Sequence, residues 1–69
     1  MKAYDLSVAL KIVLKHDASA EISFEAGRVY LGRPTKTLDK LSADEARILK
    51  IQGWENDQMW DWWVFSDES

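Results

Sequence analysis

Three acids, Glu55, Asp57 and Asp61, crowd into one short stretch of a chain that has one histidine and no cysteine. Oxygen ligands that dense invite comparison with a calcium loop. The comparison fails, because the segment reads ENDQMWD and lacks both the DxDxDG spacing and the bidentate Glu that close such a loop; a solvated acidic turn is the expectation. Without cysteine there is no thiolate metal site and no disulfide framework. His16, beside Asp17 at the end of an apolar run, reads as a cation complementing a helix C-terminus rather than as a general base. Ser42 is accounted for as a helix cap, and neither GxSxG nor a phosphate-cradling glycine loop is present. A chain of 69 residues also has little room for a closed, desolvated cavity. We therefore expect no catalytic residue, no cofactor and no metal.

What remains is the chemistry of recognition. All four tryptophans lie between Trp54 and Trp63, in a closing segment, GWENDQMWDWWVFSDES, with five carboxylates and no Lys or Arg. Residues 1–50 hold nine basic and seven acidic side chains, so the chain is divided in charge as well as in aromatic content. The net charge of −3 argues against direct binding of nucleic acid, which requires clustered cations on the phosphates. Acidic small proteins more often meet basic protein surfaces. Each Trp can bury roughly 150–250 Å², worth at most about 4–6 kcal/mol, against a total stability of about 5 kcal/mol for so small a domain. At least two of the four must then be core, and a Trp left outside would be informative.

The elements that position these groups follow from periodicity. In residues 4–17, YDLSVALKIVLKHD, alternation supports a strand, whereas Ser7, Lys11 and Lys15 form one polar stripe of a largely buried helix with Asp5 as N-cap. The helix explains why Ala9 and Val13 are apolar and is the expected form; the strand is the alternative. Ala20, Ile22, Phe24 and Ala26 alternate with Glu21, Ser23 and Glu25, and Gly27 turns the chain into a second strand, residues 28–31, stopped by Gly32 and Pro34. Residues 33–41 read as a loop anchored by Leu38 and Leu41. Ser42 and Glu45 form a capping box for a helix running to Gly53, after which Trp54 folds back on Leu49. Residues 60–65 are aromatic and β-branched, hence a strand.

The expected fold is a single α+β domain of two layers, ordered α-β-β-α-β, with both helices on one face of a three-stranded antiparallel sheet; β-β-β-α-β is the alternative order. Parity turns Ile22, Phe24, Val29, Leu31, Trp60, Trp62 and Val64 toward the helices. Ser23, Arg28, Tyr30, Trp63 and Phe65 then face outward with the acids.

A capped helix ending in GW, an acidic turn and an aromatic strand, spanning residues 42–65 of a short acidic chain, resembles the style of small phage and mobile-element proteins, the anti-CRISPR proteins among them. That resemblance implies a non-enzymatic inhibitor that blocks a host complex, such as a CRISPR effector, where nucleic acid would bind. It transfers no individual residue. The surface expected to contact a basic host protein or nucleoprotein complex comprises Glu21, Glu25, Tyr30, Glu55, Asp57, Asp61, Trp63, Asp67 and Glu68, the carboxylates imitating phosphates and Trp63 or Tyr30 serving as anchor. A small self-associating or subunit-type interaction domain is the alternative. With no apolar run near the ~20 residues that span a bilayer and no leader pattern, a cytoplasmic monomer is expected.

Overall fold

The computed structural model describes residues 1–66. The ambiguous first segment is a helix, α1 (Ala3–His16). Its buried positions, Ala9, Ile12 and Val13, are three and four residues apart on one stripe, and Lys11, Leu14 and Lys15 are exposed. Ala9 and Val13, which a strand would turn to water, are fully buried, so the strand alternative fails. The helix is less enclosed than expected: Tyr4 is 75% exposed. Lys2, not Asp5, occupies the N-cap position, and Asp5 lies in the first turn, where its charge suits the dipole.

The expected hairpin forms from β1 (Ile22–Glu25) and β2 (Arg28–Leu31), Ile22 opposite Leu31 and Glu25 opposite Arg28. Its two turn residues, Ala26 and Gly27, both have positive φ, 49° and 77°, the signature of a type I′ turn, whose twist matches that of the strands. The loop expected over residues 33–41 is instead helical. Pro34 opens α2 (Pro34–Thr37), because its missing N–H and fixed φ suit a first helical position, and a 3-10 turn over Leu38–Lys40 continues it. Leu41 packs on the core, whereas Leu38 remains 46% exposed.

α3 (Ala43–Gln52) starts at the capping box. Ser42 Oγ accepts from the Glu45 N–H at 3.1 Å and Glu45 Oε1 accepts from the Ser42 N–H at 2.9 Å. Gly53, at φ 100°, stops the helix. The next four residues correct the expected strand count: WEND is a strand, β3 (Trp54–Asp57), hairpinned to β4 (Trp62–Ser66). Glu, Asn and Asp are poor strand formers, so the segment read by itself is a turn; pairing of Glu55 with Val64 and Asn56 with Trp63 overrides that preference. The sheet is therefore four-stranded and antiparallel, ordered β1-β2-β4-β3.

The helices cover one face, where Ala9, Ile12, Val13, Leu31, Leu49, Trp54 and Trp63 form the core. A smallest dimension of 17 Å leaves room for two layers only. At Gly32 (φ 61°) they close so tightly that a Cβ would lie 2.8 Å from Val13 Cγ1.

Candidate functional site

Side-chain alternation along β1 and β2 follows the expectation, but β4 is inverted. Leu31 pairs with Trp63 and Val29 with Phe65 on the helix side; Tyr30 pairs with Val64 on the other. Trp63 is 6% exposed, and its Nε1–H donates to Thr37 Oγ1 at 2.9 Å. The parity expected from sequence failed because both faces of WWVF are apolar, so hydrophobicity cannot choose between them. The helix side supplies the acceptor that a buried indole N–H needs, Thr37 on α2. Trp63 is thus core, not the anchor of an outer surface.

The outer face carries Tyr30 and Trp62, their rings edge-on with centroids 5.8 Å apart at 65°, beside half-buried Val64. Trp60, expected to face the helices, stands at the rim in the β3–β4 turn and is 71% exposed. With Ser23, Glu25, Arg28 and Asp57, these three aromatics line a shallow depression of about 340 Å³. Sequence reading missed Trp60 and Trp62 as surface groups. The signal that would have found them is the register of a β3 strand, which sets Asp57 opposite Trp62 and Asn56 opposite Trp63.

The expected carboxylates separate into two kinds. Glu21, Glu25 and Glu55 are exposed, and the sheet presents Glu25 and Glu55 on the aromatic side. Asp57 and Asp61 are part of the fold's own bonding. Asp57 Oδ1 accepts from the N–H groups of Met59 and Trp60, at 3.1 and 3.3 Å, which folds the turn. Asp61, itself at φ 56°, reaches α2: Oδ2 accepts from Thr35 Oγ1 at 2.6 Å and Oδ1 from the Thr35 N–H at 3.1 Å, with Arg33 Nη1 3.8 Å away. The Thr35 hydroxyl, then its N–H and the charges of Arg33 and Lys36, hold the Asp61 carboxyl below its ordinary range against the opposing effect of burial. The solvated turn expected here is in fact a clamp between the hairpin tip and α2. Asp67 and Glu68 lie outside the described residues.

A second polar cluster joins α1 to α3. His16, the last residue of α1, donates from Nε2 to Glu45 Oε1 at 2.9 Å, and Lys15 Nζ lies 3.5 Å from Oε2. The Ser42 N–H foremost, then His16, holds the Glu45 carboxyl down to about 2. On β3, Asn56 Oδ1 is buried and has no hydrogen-bond partner among the described residues. Among those residues no group of three or more His, Asp or Glu is placed to hold a metal ion, and no helix is long and apolar enough to cross a membrane. The outer face offers aromatic rings and carboxylates, a combination suited to cationic side chains through ring quadrupoles and charge-assisted hydrogen bonds. No family model, curated protein or solved structure matches this chain.

Proposed function

We propose that the protein is a non-enzymatic binding module that docks its outer sheet face on a basic, nucleic-acid-binding site of a host protein complex. The observation that carries this reading is the position of Tyr30, Trp62 and Trp60 on the face that no described helix covers. A monomer seldom leaves contiguous aromatic surface open without a use, and Trp and Tyr are the residues that dominate binding hot spots. Glu25 and Glu55 flank the rings and Glu21 extends the acidic rim along β1. Such rim charges steer encounter with a cationic groove, and the rings set residence. The resemblance of residues 42–65 to phage and mobile-element proteins points to host defence complexes, CRISPR effectors among them, as the class of target.

The test is capture of the target complex on immobilised protein, followed by kinetics with purified target. Trp62→Ala should speed dissociation and cost ~2 kcal/mol or more. Glu25→Gln combined with Glu55→Gln should slow association and flatten its salt dependence. The target's own nucleic acid should compete. Retention of the complex by Trp62→Ala at wild-type strength, or indifference to competing nucleic acid, would sink the reading.

A further inference from the structure

β1 is an edge strand, and all four of its residues are exposed. The Gly32 N–H donates to the Glu21 carbonyl at 2.8 Å, which makes Glu21 and Gly32 a bonded pair of the ladder. In an antiparallel ladder bonded and non-bonded pairs alternate. Ser23 and Glu25 therefore turn their backbone groups to β2, and Ile22 and Phe24 turn theirs to the open side. Nothing among the described residues pairs with that side. The side chains of the same two residues lie on the helix face yet stay 41% and 65% exposed, so the apolar layer is unfinished along this edge.

We propose that the β1 edge accepts an extended segment of a partner protein in which basic and apolar residues alternate. Pairing with Ile22 and Phe24 would satisfy their two N–H and two C=O groups. The partner's side chains opposite them fall on the helix face, where apolar groups would cover Ile22 and Phe24. Those opposite Glu21, Ser23 and Glu25 fall on the outer face, where Lys or Arg would meet two carboxylates. A second copy of this chain fits poorly. The antiparallel register centred on Ser23, which pairs residues 21–25 with themselves, sets Glu21 against Glu25 twice, and like charges directly opposite oppose pairing. This inference does not depend on the Trp62 surface, so either can fail alone.

The probe is an acetylated, amidated peptide, GKVTVKG, with GVKTKVG as a control of equal composition and inverted alternation, and GEVTVEG as a control of charge. Amide hydrogen exchange of the whole protein should slow at least about tenfold at Ile22 and Phe24 with GKVTVKG, and change little at Ser23 and Glu25, already in the ladder. Trp62→Ala should bind the peptide as well as wild type. Phe24→Pro, which removes an outward N–H and spares the bonds to β2, should abolish the effect. Glu21→Lys with Glu25→Lys should invert the preference toward GEVTVEG and serves if the proline variant does not fold. Unchanged exchange at Ile22 and Phe24, equal slowing by GVKTKVG, or a dimer in which these amides are already protected without peptide overturns the proposal.

Discussion

A single buried hydroxyl pairs the indole of Trp63. Thr37 is fully buried; its Oγ1 accepts from Trp63 Nε1 at 2.9 Å and donates to the Arg33 carbonyl at 3.1 Å. Thr37→Val keeps the shape and removes the acceptor, leaving the indole N–H buried and unpaired, at a cost of ~1–3 kcal/mol. The denaturant midpoint should fall with its slope unchanged, and Trp63→Phe on that background should recover part of the loss in a double-mutant cycle. Glu45 gives a pH-dependent counterpart. Its folded value of about 2 lies below the ordinary 4.5, so ionised Glu45 favours the folded state above pH 4.5, and that contribution disappears as pH falls from about 4.5 to 2. Glu45→Gln should flatten the fall in urea midpoint across this window, though not abolish it, since Asp17 and Asp61 are shifted in the same direction. The two residues differ in how visible they are in the chain. The capping box of Glu45 spans four letters, whereas the partners Thr37 and Trp63 are 26 positions apart and meet only once the sheet exists.

At the scale of elements, two positions work against the structure that holds them. Ala26 sits at φ 49° in the β1–β2 turn, a conformation that costs an L-residue with a Cβ ~1–2 kcal/mol. Asn tolerates it, and Asn-Gly is the preferred type I′ pair, so Ala26→Asn should raise stability by ~0.5–1 kcal/mol in chemical denaturation. Asn56 buries an oxygen without a partner among the described residues in a strand position facing the helices. Asn56→Val removes that unmet acceptor and adds a strand former, and should raise stability by ~1 kcal/mol; a lower midpoint would show that the amide nitrogen holds the hairpin. These positions also show why the strand boundaries could not be read in advance. The β1–β2 hairpin announces itself through strict alternation around a glycine. β3 does not, because three of its four residues are polar and its place depends on the register with β4. α2 was hidden for a related reason: proline marks the end of a strand and the start of a helix with the same letter.

For the molecule as a whole, the two-layer α+β architecture was legible because two short apolar strands and a capped helix leave few other ways to bury one face each. The fourth strand, the short second helix and the choice of outer aromatics were not, since each is settled by contacts between distant segments. Charge at this scale makes its own prediction. With a net charge of −3 and two exposed glutamates beside the aromatic depression, the protein should give no salt-sensitive shift of duplex or single-stranded nucleic acid in a gel. The division of the four indoles between the layers has an optical consequence. Trp54 and Trp63 lie in the apolar core, whereas Trp60 is 71% exposed and Trp62 partly so, so the intrinsic fluorescence should contain a blue population deaf to iodide and a red one quenched by it. Unfolding should convert the first into the second. Docking of a partner on the outer face should shield only the second, which lets one unlabelled protein report, at two wavelengths, whether it is folded and whether it is occupied.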